Sequence, residues 1–391
     1  MKNFLNKISN FEFGKIKIKT PDKKEYNFYG NKKGPKAEII IKSKKSISKI
    51  LDKGSLGFAE SYLEGYIQTN DLKTLMLFFA KNEKYLNGVL KKNIFTKFKN
   101  FIRKKLTENS IKQNKKNISY HYDLGNDFFK HWLDKNLTYS SGIYEKKIKS
   151  LEEAQINKLE KICSMLKLKK HHHLLEIGCG WGSFAIYAAK KYKCKITCIT
   201  LSEKQFLYVK EKIKKFNLNK KIDIQIIDYR NLKGKFDRIA SIEMFEAVGE
   251  KYWNLYFKKI KELLNPNGIA AFQIITIDKK RFVNYKKNLD FIQKYIFPGG
   301  MLPSKEILQK IINRNNLLEL SVNNFGKDYS KTLKEWLIRF KNSWGYIKPL
   351  GFDDKFKRMW EYYLNYCEIG FDIGTLDLVQ ISVKNKKNVT F

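Results

Sequence analysis

The stretch Leu174-Leu175-Glu176-Ile177-Gly178-Cys179-Gly180-Trp181-Gly182-Ser183 constrains this chain more than any other. An apolar strand runs into a turn with three glycines in five residues, and Phe184-Ala185-Ile186-Tyr187-Ala188-Ala189 continues as a helix. Glycine tolerates the backbone of a sharp turn and puts no side chain between the chain and a ligand. The helix then presents unpaired N–H groups and a partial positive charge to that space. A crevice of this kind at the carboxyl end of a strand suits a nucleotide-like cofactor. Downstream, strands are read at 195–200, 222–227, 236–242, 268–277 and 376–383, with helical patterns between most of them. That alternation predicts a parallel α/β sheet.

The turn also discriminates among cofactors. A dinucleotide fingerprint reads G-x-G-x-x-G. Here the pattern is G-x-G-x-G, with Glu176 two residues before the first glycine. This spacing resembles the first motif of the class I S-adenosylmethionine (SAM) methyltransferases. In that motif the acid orders the loop or meets the charged methionine end of the cofactor.

Length and composition set the remaining bounds. The 391 residues, 43% of them hydrophobic, allow one large and one small unit with real cores. A net charge of +39 attracts anionic partners, either nucleic acid or acidic lipid. Lysine is spread throughout, however, and no arginine-rich helix or RNA-reading motif stands out, so no nucleic-acid partner is expected. Cys194 and Cys198 have the spacing of a metal pair but lie in a strand without a partner cluster. Reduced thiols and no metal are therefore expected. No secretory signal is expected, and no apolar run reaches the roughly 18 residues that a spanning helix needs. The expected location is cytoplasmic, in solution or peripheral on the inner face of the membrane.

Before the glycine turn the chain changes character twice. Residues 1–50 alternate apolar and polar at Phe11, Phe13, Ile16 and Ile18, and again near Ile39-Ile40-Ile41, which predicts a small β element. A glycine-punctuated helix follows over 54–66. A second helix after Asn70-Asp71 places Leu72, Leu75, Met76 and Phe79 on one face. Residues 81–117 are basic and amphipathic, with Phe95, Phe98, Phe101 and Ile102, and read equally as a membrane-surface helix or a linker helix. Residues 119–144 are dense in aromatics and hydroxyls and predict a segment that closes over a cofactor. The domains so read are 1–117 and 118–391.

The segments HYDLGNDFFKHWLD, LTYSSGIY, LLEIGCGWGS, ITLSEKQ, DYR, EMFEAVG, FIQKYIFPGGMLPS, DYSKTLKEW and YCEIGFDIGTLDLVQ follow one another along the chain. Together they resemble the cyclopropane-fatty-acyl-phospholipid synthases, with their relatives the mycolic acid cyclopropane synthases and fatty-acid C-methyltransferases. The resemblance implies a Rossmann-like α/β methyltransferase sheet of seven strands with a smaller, lipid-facing N-terminal α+β domain, and a homodimer. It implies SAM as cofactor and an unsaturated phospholipid in an anionic membrane surface as substrate. Tyr139 and Ser140 match the loop that closes on SAM. Glu176, Gly178 and Gly180 match its methionine end, and Thr200 and Gln205 its ribose and adenine side. Asp228 would accept from the adenine amino group, and Tyr229 would cover the ring.

The implied reaction is methyl transfer to an acyl double bond. It leaves a carbocation that aromatic faces can stabilise and that a dry pocket protects from water. Proton loss from the new methyl group closes a cyclopropane; loss from a neighbouring carbon leaves an alkene on the way to a methyl branch. In the family the base is a bicarbonate held by a glutamate, a histidine, a tyrosine and backbone groups near a cysteine. Glu246 matches that glutamate and Tyr329 the tyrosine. The cysteine position is Ser141, the histidine is matched by Ile275, and Ala247 follows the glutamate. An isoleucine cannot hold an anion. The expectation is therefore an altered or absent bicarbonate site, with Gln273 as the substitute on the same strand face and Glu246 as base or cation stabiliser. Two other readings exist: an RNA or protein methyltransferase, from the charge, and a non-catalytic SAM-binding lipid protein, from the altered anion site.

Overall fold

The structure is a computed structural model, and it describes residues 1–90, 113, 117, 124–145 and 147–386. Two sheets organise it. The first contains β1 (Phe13–Lys19), β2 (Glu25–Tyr29), β3 (Lys32–Ile41) and β4 (Ile67–Gln68), in the order β2-β1-β3-β4. Ile16, Ile18, Ile39 and Ile41 point to its buried face, as the alternating pattern requires. Helices α1 (Ser55–Leu63) and α2 (Leu72–Lys81) pack nearby. Asp71 caps α2 by accepting the Thr74 N–H at 2.9 Å, and Leu72, Leu75 and Met76 are buried. The aromatic positions read between 91 and 112, and His121 with its neighbours, lie outside the described residues.

The second sheet begins after α3 (Leu151–Met165), a helix opened by a capping box between Ser150 and Glu153. Its strands are β5 (His173–Ile177), β6 (Lys195–Thr200), β7 (Ile222–Ile226), β8 (Phe236–Ile242), β9 (Leu264–Ile277), β10 (Leu317–Asn324) and β11 (Leu376–Asn385). Their order is β10-β11-β9-β8-β5-β6-β7. Strands β7, β6, β5, β8 and β9 run parallel, and β11 lies antiparallel between β9 and β10. The order reverses at β5, so α4 (Ser183–Tyr192) and α5 (Glu203–Lys215) stand on one side of the glycine turn and β8 on the other. This is the topological switch point at which open α/β sheets bind ligands.

The chain then builds a roof over the carboxyl ends of β8 and β9. It consists of α6 (Lys279–Lys287), α7 (Phe291–Tyr295), α8 (Gly326–Asn342) and α9 (Asp354–Asp372). Its aromatic residues share one core with the N-terminal unit: Phe58, Phe78, Phe128, Trp336 and Trp360 belong to a single buried cluster. Ion pairs tie the two parts. Glu60 on α1 receives Lys294 of α7 and Lys53, and Arg281 of α6 reaches Glu83 at 2.6 Å.

Candidate active site

The glycine turn behaves as its composition requires. Gly178, Gly180 and Gly182 all have positive φ, at 80°, 54° and 80°. A Cβ on Gly178 would stand 2.6 Å from Met244 Cγ, whereas one on Gly180 would meet nothing within 4 Å. The first glycine is needed for packing and the second faces open space. Glu176 is buried at the end of β5. Its carboxylate receives the Ala185 backbone N–H from the first turn of α4, and its Oε2 has no partner. Burial raises its pKa to about 8. The acid therefore orders the loop, and a buried acceptor remains for a cationic group.

The other positions matched to the cofactor are partly occupied by one another. Thr200 Oγ1 donates to Gln205 Oε1 at 2.8 Å and accepts the Ser202 N–H. Asp228 is held by Arg230 through its Nε at 2.8 Å and its terminal nitrogen at 2.6 Å. Tyr229 is buried edge-on against Tyr256, with centroids 5.1 Å apart. Tyr229 belongs to the same buried cluster as Phe245, Trp253 and Tyr256. The Arg230 guanidinium lies 5.4 Å from the Tyr229 ring and 5.2 Å from the Tyr252 ring.

A cavity of about 1050 Å³ opens against the turn that follows β8. Phe58, Met76 and Phe79 of the N-terminal unit line one part, and Ile292, Phe297 and Tyr362 another. Tyr139, Glu243, Glu246, Ile275 and Tyr329 share the same lining. The Tyr139 hydroxyl lies 2.9 Å from that of Tyr363. Tyr329 is buried, stacked on Phe371 at 4.4 Å.

The polar centre of this cavity is Glu243, which the sequence reading passed over. Its Oε1 accepts the Ser141 N–H at 2.9 Å and Gln273 Nε2 at 2.8 Å, and its Oε2 accepts the Tyr329 hydroxyl at 2.6 Å. Gln273 is oriented in turn by Gln380, whose Nε2 donates to its Oε1 at 2.8 Å. Glu243 itself has φ 50°, a conformation uncommon outside glycine. Burial raises its pKa despite these three donors.

Glu246 stands three residues on. Its Oε1 accepts the Ile275 N–H at 2.5 Å and its Oε2 has no partner. Burial first, and the charge of Glu243 second, raise its pKa to about 8. Ser141 contributes its backbone to the site, because its Oγ turns back to the Gly142 carbonyl at 2.8 Å. Ser140 is held from α3: Lys158 Nζ donates to its Oγ at 2.7 Å and Gln155 Nε2 to its carbonyl at 2.8 Å. Lys158 was likewise not singled out from sequence. A lysine facing inward on a capped helix is the signal that could have found it.

A parallel sheet with this switch point, this glycine turn and a lidded apolar cavity defines a class I SAM-dependent methyltransferase. Within that class, the chain belongs to the mycolic acid cyclopropane synthetase family, whose model matches residues 109–381. It is 36% identical over 350 residues to the cyclopropane-fatty-acyl-phospholipid synthase of Escherichia coli, covering 88% of this chain and 87% of that one. It is 32% identical over 337 residues to the tuberculostearic acid methyltransferase UfaA1 of Mycobacterium tuberculosis, covering 84% and 78%. Among solved structures, the mycolic acid cyclopropane synthase CmaA1 complexed with SAH and CTAB superposes with a TM-score of 0.65 at 29% identity. That match covers 69% of this chain and 98% of the other. The protein is a SAM-dependent enzyme, and the open space at Gly180 with the unpartnered Glu176 oxygen fits that cofactor.

Proposed function

We propose that the protein alkylates the double bond of an unsaturated phospholipid acyl chain from SAM, closing a cyclopropane. The observation that carries this reading is the pair of carboxylates, Glu243 and Glu246, at one end of an aromatic cavity. When bound, SAM supplies an electrophilic methyl group. Glu176, Gly178 and Gly180 would hold its methionine end, and Tyr139 and Ser140 would close over it. Tyr139, Phe297 and Tyr363 offer aromatic faces and oxygen lone pairs to cationic character on the acyl chain. The surrounding apolar wall excludes water that would trap it.

The proton then needs an acceptor. Bicarbonate does not fit here. The Ser141 N–H, the Tyr329 hydroxyl and Gln273 are already directed at Glu243, and Ile275 brings no polar side chain. A second anion would also be buried against the Glu243 carboxylate. Glu243 therefore takes the place of an external base, with Glu246 beside it as cation stabiliser. A carboxylate whose pKa is raised by burial accepts a proton more readily than one in water. The alternative product, a C-methylated chain, uses the same groups; it differs in which proton reaches the carboxylate.

Phe58, Met76 and Phe79 support an N-terminal unit that faces the lipid. The charge of +39 supports peripheral binding to the inner, anionic membrane surface, and among the described residues no helix is long and apolar enough to cross it. The test is to incubate the protein with methyl-labelled SAM and vesicles of unsaturated phospholipid, with and without bicarbonate. Labelled acyl chains heavier by one CH2, formed equally in both, are expected. SAM binding without labelled lipid would overturn the reading, and dependence on bicarbonate would overturn the role of Glu243.

A further inference from the structure

Lysine is almost never fully buried unless its charge has a purpose or a partner. Lys158 is 1% exposed. An ordinary structural lysine would be paired with one carboxylate. This one donates instead to a neutral hydroxyl, Ser140 Oγ, at 2.7 Å. The acids that face it are Glu243, Asp134 and Glu176, which come from three separate parts of the chain. Burial lowers its pKa to about 8, and each of those acids works against that loss.

Its position in the fold gives the charge a function. Lys158 and Gln155 lie one turn apart on α3, and both grip Ser140. Ser140 sits between Tyr139, which lines the cavity, and Ser141, whose N–H holds Glu243. Among the described residues, the titratable groups that face Glu243 are Tyr329 from α8, Tyr363 from α9, Glu246 from the turn after β8, and Lys158 from α3. Lys158 is the cation among them.

We infer that Lys158 is a positioning residue of the reaction: it fixes the segment that presents Tyr139 and Ser141, and its charge favours the ionised, proton-accepting form of Glu243. This rests on Glu243 as the proton acceptor. Removing the cation makes Glu243 harder to ionise, so the acidic limb of the rate profile moves to higher pH. At an effective dielectric of about 20, removing a unit charge that faces a carboxylate shifts it by on the order of one unit or more.

The experiment compares kcat against pH for the full-length wild type, Lys158→Met and Lys158→Gln, with melting temperature and SAM affinity in parallel. Glutamine keeps a donor toward Ser140 but carries no charge, and it serves if the methionine variant does not fold. An upward shift of about one unit in a folded variant, with SAM affinity kept, is the expected result. A lower melting temperature with the limb unmoved would overturn the inference and leave Lys158 a structural residue. Glu243→Gln, measured alongside, separates the two readings: turnover retained there refutes the role of Glu243 itself, whereas turnover lost there with an unmoved limb in the lysine variants refutes only the role of Lys158.

Discussion

Tyr329→Phe isolates one donor to the central carboxylate. The Tyr329 hydroxyl donates to Glu243 Oε2 at 2.6 Å, while the two other donors share Oε1. The ring also stacks on Phe371, and phenylalanine keeps that packing. The substitution therefore leaves Oε2 buried without this partner and changes little else. A hydrogen bond to a charged group contributes about 1.5–3 kcal/mol. At about 1.4 kcal/mol per pKa unit, the Glu243 carboxyl should rise by one to two units above a value that burial has already raised. The base works in its ionised form. Activity at neutral pH should fall by about 10- to 100-fold and return toward the wild-type rate at higher pH. Initial rates of labelled methyl transfer to phospholipid vesicles across pH measure this directly. A loss that stays constant with pH, or an acidic limb that does not move, would refute the assignment of Glu243 as proton acceptor.

Further predictions address the neighbouring groups. Glu246→Gln should abolish product while SAM still binds by calorimetry. The same variant should be more stable than the wild type at pH 8, by on the order of 1–2 kcal/mol, and no more stable near pH 4. The sign follows because the folded protein holds the Glu246 proton up to about pH 8, so wild-type stability falls as pH rises from the usual carboxyl range to that value. Gly178→Ala should lose about 1–2 kcal/mol in urea unfolding, since its Cβ meets Met244 at 2.6 Å with φ at 80°. Gly180→Ala has open space, so it should weaken SAM binding with a smaller loss of stability. Gln380→Leu frees the Gln273 amide to rotate, and kcat should fall with the KM for SAM unchanged.

Much of the catalytic sheet was legible because its signals are local. The strands read at 195–200 and 236–242 match β6 and β8, and the one read at 222–227 matches β7 to within a residue. Strand β10 went unread. It is an edge strand whose Leu318, Leu320 and Val322 stay exposed, so its pattern reads as a surface. Strand β2 has the same difficulty, with alternate residues open to water. In the site, the glycine turn, Tyr139, Ser141, Glu246 and Tyr329 were all visible in short motifs. Glu243 was not, because nothing in the sequence says that Tyr329, 86 residues away, and Ser141, 102 residues away, converge on it. Tyr229 shows the same limit, since Tyr256, which lies edge-on against its ring, comes from a later helix.

The left-handed backbone at Glu243 has a consequence for how the enzyme relates to its surroundings. A glycine would hold φ 50° with less strain, by about 1 kcal/mol. The chain keeps a carboxylate there all the same. An acceptor recruited from solution must be captured in every cycle, and its occupancy follows the dissolved carbon dioxide around the cell. An acceptor carried on the backbone has a fixed effective concentration, far above that of any free anion. On the reading proposed here, one strained residue makes membrane lipid alkylation independent of the gas the cell is growing in.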